Sequence, residues 1–533
     1  MTSQKHPWWK GIIYQIYPRS FYDSNADGIG DLRGIHEKID YIAALGVDGV
    51  WISPFFTSPM KDFGYDVADY RNIDPIFGSM KDFDQLLEGL HARHLKLIID
   101  LVFNHTSDKH EWFQQSRKSK NGAKADWYVW ADPKPDGSAP NNWLSVFGGP
   151  AWTYDTKRGQ YYLHQFLKEQ PDLNVRNPEI QEALLDVMRF WLDKGVDGFR
   201  LDVLNHCIQD AQLRDNPPRA DFDRGTGKDR FTHPYFWQRH LYDRSQPECL
   251  IFAERLRQLT DAYDDRMMVG EIFDDYPIQA SIDYTAPGRL HTAYNFSLLQ
   301  PGIFTPSALR GFISDYLTAK DGWPAWAFSN HDTERVATRW AVHQEISTAQ
   351  CKLQNALLFS LRGTAFLYQG EELGLTDADV PFEKLQDPYG IFLWPEDKGR
   401  DGCRTPIPWD SQEKHAGFTA AKEPWLPVPE EHRLHAVSVQ ESDDNSILQF
   451  TRRFITWKKK QPSLQQGGLS FVEMPPQVLG FMRDNILCIF NLTDETVNFS
   501  CAARPVEGHG LPYALKDGIL TLPAFGGFFG YSS

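Results

Sequence analysis

Eight short β-rich runs, with helical stretches between most of them, set the tightest limit on what this chain can fold into. The runs are Ile12–Tyr17, Val50–Ser53, Leu97–Val102, Gly198–Leu201, Met267–Gly270, Ala293–Phe296, Trp326–Ser329 and Ala365–Tyr368. Amphipathic segments lie between most of them, among them Ile35–Leu45, Phe83–His91, Ile180–Leu192 and Gln350–Leu361. Strands joined through helices run parallel, and eight such units close into a (β/α)8 TIM barrel, an α/β fold with the helices outside. In such barrels the chemistry sits at the carboxyl ends of the strands. The residues that follow each run therefore carry the most weight.

Two connections are too long for ordinary loops. Residues 105–177, after the third run, are rich in Trp, Tyr, Gly, Pro and Asn and read as a small domain inserted over the barrel mouth. Residues 376–429, after the eighth run, form a second excursion rich in Pro and charge. The last barrel helix is expected near Ile447–Lys459. Beyond it short alternating apolar runs such as Ile486–Leu492 and Gly518–Pro523 indicate a C-terminal antiparallel β-domain. The expected partition is a barrel of 1–104 and 178–463, an insert of 105–177, the excursion of 376–429, and a β-domain of 464–533.

Charge and composition narrow the partners. A net charge of −16 over 533 residues argues against nucleic acid or an anionic membrane as a partner. No run of apolar residues is long enough to span a bilayer, and the opening MTSQKHPWWKG lacks the apolar core of a signal peptide. Six cysteines are scattered with neither a CxxC pair nor zinc spacing, which suits a reducing, cytoplasmic setting. Aromatic residues make up 14%, and their faces suit the apolar C–H faces of sugar rings.

The fourth run, Gly198-Phe-Arg200-Leu-Asp202-Val203, places Arg200 and Asp202 on one face, because side chains alternate along a strand. A guanidinium beside a carboxylate is expected to keep it ionised, as a nucleophile requires. The third run ends Asp100-Leu-Val-Phe-Asn104-His105, with His105 placed to hydrogen-bond a substrate hydroxyl. The fifth ends Val269-Gly270-Glu271, where a partly desolvated Glu suits a general acid. The seventh ends Phe328-Ser-Asn-His331-Asp332. Three strands thus bring one carboxylate each to the same rim. Glycoside hydrolysis needs such a pair, one acid and one nucleophile or base. A metal centre built from the same side chains is the competing reading, and Arg200 counts against it.

Together these motifs resemble the α-amylase family of glycoside hydrolases, in its α-glucosidase and oligo-1,6-glucosidase branch. Asp100–His105, Gly198–Val203, Val269–Ile272 and Phe328–Asp332 match the family's four conserved regions in order. Gln170-Pro-Asp-Leu-Asn174 is similar to the signature of this branch. The resemblance implies Asp202 as nucleophile, Glu271 as acid/base and Asp332 as the residue that holds the distorted sugar. It further implies a pocket for a terminal glucose lined by Asp62, Tyr65, His105, Arg200, His331 and Arg400, with Phe166 as an aromatic wall. The implied reaction is double displacement with retention on short α-glucosides, with water or a sugar or alcohol acceptor taking the glucosyl unit. Sucrose isomerisation on the same scaffold is the alternative, and a non-catalytic binding module is disfavoured because all three carboxylates are kept. Val203, directly after the nucleophile, leans towards α-1,6 cleavage in this branch, although Leu204-Asn-His-Cys207 departs from the usual continuation.

A separate loop, Asp23-Ser-Asn25-Ala-Asp27-Gly-Ile29-Gly-Asp31, alternates oxygen-bearing residues as the first part of an EF-hand loop does. Gly34 stands where that loop's bidentate Glu belongs, so it is no EF-hand. The resemblance implies a structural calcium or magnesium held by Asp23, Asn25, Asp27, the Ile29 carbonyl and Asp31. No organic cofactor is expected, and the assembly expected is a monomer or homodimer.

Overall fold

The computed structural model describes residues 7–220, 233–294, 296–300, 302–317, 322–343 and 347–532. The barrel strands are β1 (Ile12–Ile16), β2 (Gly49–Ile52), β3 (Lys96–Val102), β4 (Gly198–Asp202), β5 (Met267–Glu271), β6 (Thr292–Tyr294), β7 (Pro324–Ala327) and β8 (Thr364–Tyr368). Each strand pairs in parallel with its neighbour in sequence, and β8 closes onto β1. Asn295, inside the sixth expected run, lies outside the described residues, as does 221–232, which takes in much of the loop 215–230 after β4.

Period-two alternation divides every strand. Ile13, Trp51, Ile98, Met267, Val269, Tyr294 and Phe366 fill the barrel interior. Ile12, Tyr14, Ile99, Leu101, Phe199 and Leu201 face the helices in the larger outer core. The inward series continues towards the carboxyl ends as Gln15, Asp100, Arg200, Asp202 and Glu271, all buried. An apolar plug thus supports a polar layer, and parallel register sets Asp100 and Val269 on either side of Arg200.

The outer helices follow their capping signals. Ser79 and Asp82 form a capping box at the start of Met80–Ala92, and Asn177 with Pro178 opens Pro178–Asp193. The single helix expected over Ile35–Leu45 is two, Leu32–Glu37 and Ile39–Leu45, which break at Lys38. Lys38 there lays its ammonium over the rings of Tyr22 and Trp409 at 4.2 and 4.5 Å, a cation–π contact that straightening the helix would remove.

Residues 105–177 carry a three-stranded antiparallel sheet of Trp130–Ala131, Gln160–Leu163 and Trp152–Asp155. The insert is stapled to the barrel through Asp172, whose carboxylate accepts from Gln165, Asn104 and Gln209. Residues 376–429 run as short 3-10 turns, loops and one short α-helix, Pro388–Leu393, over the mouth. The helix Ile447–Lys458 ends the barrel, and beyond it lie a five-stranded and a three-stranded antiparallel sheet.

Candidate active site

A cleft of about 770 Å³ opens at the carboxyl ends of the barrel strands. Asp62, Tyr65, His105, Phe166, Asp202, Val203, Glu271, Asp332 and Arg400 all line it. Arg200 and His331 do not reach its surface; they lie buried behind the wall, where they hold the lining residues in place.

Arg200 is the hub. Its Nη1 donates to Asp202 Oδ1 at 2.5 Å and Asp100 Oδ1 at 3.0 Å, and its Nη2 reaches Glu271 Oε2 at 2.6 Å. One guanidinium therefore serves three carboxylates. Burial pushes the Asp202 carboxyl up from its usual range, Glu271 and Asp100 add to that, and Arg200 opposes it without winning. The pairwise expectation that Arg200 keeps Asp202 ionised omitted those other acids. Asp100 is likewise pushed up to about 6 by burial.

Val203 links Asp202 to Glu271. It adopts φ +33°, a left-handed conformation costly for a β-branched residue. In that conformation its N–H donates to Glu271 Oε2 at 3.1 Å. The strain sits where the chain turns out of β4, directly after Asp202.

Asp332 belongs to a second charged group. Its Oδ1 accepts from Arg400 Nη1 at 3.1 Å and Arg404 Nη2 at 2.8 Å. Burial opposes its ionisation, but these guanidinium groups hold its carboxyl well below the usual range. The adjacent His331 adds no charge, because burial pushes its pKa down to about 3. Arg400 also donates to Asp62 at 2.9 Å and grips Asp387 with two bonds, from Nε at 3.0 Å and Nη2 at 2.7 Å. Gln170, from the branch signature, donates to Asp62 Oδ2 at 3.1 Å and lies 3.1 Å from His105 Nε2. Burial pushes His105 down to about 3, so it faces the cleft as a neutral imidazole. Phe166 packs against His105 at 5.2 Å between ring centroids.

Several functional residues escaped the sequence reading. Asp100 carried a signal, since period two puts it on the inward face of β3, yet it was read only as part of a motif. Arg404, four positions after Arg400, was given no role. Asp387 and Gln15 carried none, because their partners are 13 and 316 positions away. The aromatic flank of Phe236, Phe273 and Phe296 comes from three separate loops.

The loop 23–31 offers oxygen chemistry suited to a hard divalent cation. Its carboxylates, however, are taken up by the loop itself. Asp23 accepts the N–H groups of Asn25, Ala26 and Gly28 and the Thr419 hydroxyl. Asp31 accepts from Ser24 and caps the following helix through Gly34 N–H. Among the described residues no group of three Asp, Glu, His or Cys side chains is arranged to hold a metal ion. The loop is also docked on the excursion, with Asp23 N–H on Phe418 O and Trp425 N–H on Gly28 O.

The model of the α-amylase catalytic domain matches residues 15–467. A probable α-glucosidase of Rhizobium meliloti (strain 1021) is 50% identical, over 98% of this chain and 96% of the relative. An oligo-1,6-glucosidase of Heyndrickxia coagulans is 38% identical, over 92% and 93%. The crystal structure of an α-glucosyl transfer enzyme, XgtA, matches with a TM-score of 0.96 at 49% identity, covering 99% of this chain and all of that one. The chain belongs to the α-amylase family. Within that family it falls in the branch of the α-glucosidases and oligo-1,6-glucosidases.

Proposed function

We propose that this chain is a retaining, exo-acting α-glucosidase that releases terminal α-glucose from short α-glucosides and transfers it to water or to sugar or alcohol acceptors. The observation that carries the reading is the Arg200 bridge. Asp202 and Glu271 are held as neighbours by the two Nη atoms of one guanidinium, at 2.5 and 2.6 Å. Such neighbours suit the close-set carboxyl pair of a retaining enzyme better than the wider pair of an inverting one. Glu271 protonates the glycosidic oxygen while Asp202 attacks the anomeric carbon. Glu271, then ionised, takes the proton of the incoming water or acceptor. Asp332, Arg400 and Asp62 hold glucose hydroxyls at the closed end, so a chain cannot thread through.

Val203 at the cleft wall favours an α-1,6 preference. The experiment is hydrolysis of maltose, isomaltose, sucrose and trehalose side by side, with products and anomers followed by NMR. Isomaltose cleaved fastest, with α-glucose appearing first, is the expected result. Early β-glucose defeats the retaining reading, maltotriose or longer products from starch defeat the pocket, and isomaltulose or trehalulose from sucrose favours the isomerase.

We also propose a divalent cation, calcium or magnesium, at the loop 23–31, on the strength of its alternating oxygen donors. Asp23, Asn25, Asp27, Ile29 and Asp31 would hold it. Because the loop is already braced by its own hydrogen bonds and by the excursion, the ion adds stability and not chemistry. A chelator should lower Tm and leave the rate near normal at low temperature; an immediate loss of rate at unchanged Tm refutes this. No helix among the described residues is long and apolar enough to cross a membrane. All six cysteines are buried and unpaired, which supports a reducing, cytoplasmic setting.

A further inference from the structure

We infer that Gln15, on β1, is a positioning residue that fixes the proton of His331 on Nε2 and thereby sets the direction of a hydrogen-bond chain running behind the cleft wall to Arg200. The inference rests on the glucosidase reading for its kinetic test alone. The argument starts at Asp100, whose oxygens only accept: Oδ1 takes Arg200 Nη1, and Oδ2 takes Trp51 Nε1 at 3.2 Å and the Tyr65 hydroxyl at 3.1 Å. Tyr65 has one hydrogen, and it goes to Asp100. The Tyr65 oxygen must then accept from His331 Nε2, 2.6 Å away. The same N–H faces Asp332 Oδ2 at 3.2 Å.

A neutral imidazole carries one N–H, so Nδ1 of His331 is left as an acceptor. Its partner is the side-chain amide nitrogen of Gln15 at 2.8 Å. Gln15 is 1% exposed, its Nε2 is the amide atom set against Nδ1, and its own Oε1 meets no protein partner. The imidazole cannot turn to another arrangement. It is stacked between Tyr65, at 5.5 Å and 5°, and Tyr17, at 5.6 Å and 22°, with Trp51 edge-on. Around it stand the charges of Asp332, Arg404, Arg400 and Arg200, with Asp100 beyond Tyr65. The chain therefore runs from Gln15 through His331 and Tyr65 to Asp100, which shares Arg200 with Asp202 and Glu271. Were the proton on Nδ1, Tyr65 would donate to Nε2 and Asp100 would lose a donor beside the nucleophile.

Gln15→Met and Gln15→Glu, both close to Gln in length, test this through kcat and KM measured from acid to alkaline pH. Gln15→Met removes the donor and should lower kcat about tenfold at every pH, the weight of roughly one net hydrogen bond. Gln15→Glu should work well at acid pH. There an extra proton, on the introduced carboxyl or on His331, lets Nδ1 keep its hydrogen bond while Nε2 still donates to Tyr65. As pH rises that proton is lost, the remaining one moves to Nδ1 opposite the carboxylate, and kcat/KM should fall along a basic limb that begins at lower pH than the wild type's own. Losses with the wild-type profile shape in both variants, or no loss in either, overturn the inference. If neither variant folds, nitrogen-15 NMR of histidine-labelled wild type decides it, with the His331 signal assigned by its loss in His331→Asn: a protonated Nε2 is expected, and a protonated Nδ1 refutes it. A wild type without glucosidase activity overturns the functional reading instead, and the NMR result stands apart from it.

Discussion

At one end of the cleft Asp62, Asp332 and Asp387 converge on Arg400, through hydrogen bonds of 2.7–3.1 Å. Elsewhere on its wall, Phe273 lies 5.8 Å from Phe296, and Tyr235 stacks on Phe273 and meets Phe236 edge-on. The first region is built of directional bonds between buried charges, the second of half-buried aromatic faces. A group that leaves a buried charge unpaired costs several kcal/mol, whereas a face that fits imperfectly costs little. The polar end should therefore read one sugar strictly, and the aromatic flank should tolerate many leaving groups and acceptors. This is the division an enzyme needs when donor glucose is fixed and acceptor varies.

The contrast can be broken most directly at the chemistry between the two ends. Asp202→Asn keeps the shape and the Arg200 contact but removes the carboxylate proposed to attack. Turnover should fall by at least about 10⁴-fold, as for other covalent nucleophiles, with Tm little changed. More than a few per cent residual activity would show that Asp202 does not attack.

Arg400→Ala attacks the polar end. It leaves Asp62, Asp387 and Asp332 facing each other without their shared cation. Removing one partner of a buried ion pair costs about 3–5 kcal/mol, so kcat/KM should fall by about 10²- to 10³-fold, with Tm lowered as well. The loss should be as large for α-glucosyl fluoride as for isomaltose, because fluoride leaves the aromatic flank untouched. A loss confined to isomaltose would move Arg400 to the acceptor side.

What was legible in the sequence follows the same contrast. The eight strands could be read because β-branched runs and period two are local signals, and Arg200 with Asp202, Glu271 and Asp332 lie on or next to those runs. The bidentate partner of Arg400 could not be read, since Asp387 sits in a loop whose path is set by tertiary packing. The upward push on Asp202 was hidden for a related reason: how many carboxylates surround one guanidinium is a property of barrel closure. The break at Lys38 was missed because its rings, Tyr22 and Trp409, come from distant segments. Arg200 and His331 were assigned to the pocket surface, and depth below that surface is likewise invisible to spacing.

The smallest effect is expected at the aromatic flank, and it is the one that sharpens the comparison. Phe273 follows Glu271 at the end of β5 and stacks on His206 at 6.0 Å and 10°. Phe273→Ala removes one aromatic face and the ring beneath the Arg244 guanidinium at 4.9 Å, and leaves the charged groups around Arg200 and Arg400 in place. An aromatic contact is worth about 0.5–1.5 kcal/mol beyond its buried area, so transfer to a sugar acceptor should drop about three- to tenfold. Hydrolysis of α-glucosyl fluoride should change less than twofold, because its only sugar occupies the polar end and water needs no aromatic face. The ratio of transfer to hydrolysis, measured from the same fluoride donor with and without added glucose, isolates this term from any change in donor binding. Phe296→Ala, across the same contact, should shift that ratio in the same direction. If both variants lose fluoride hydrolysis in proportion to transfer, the flank is part of the glucose pocket and the cleft has one specificity region rather than two.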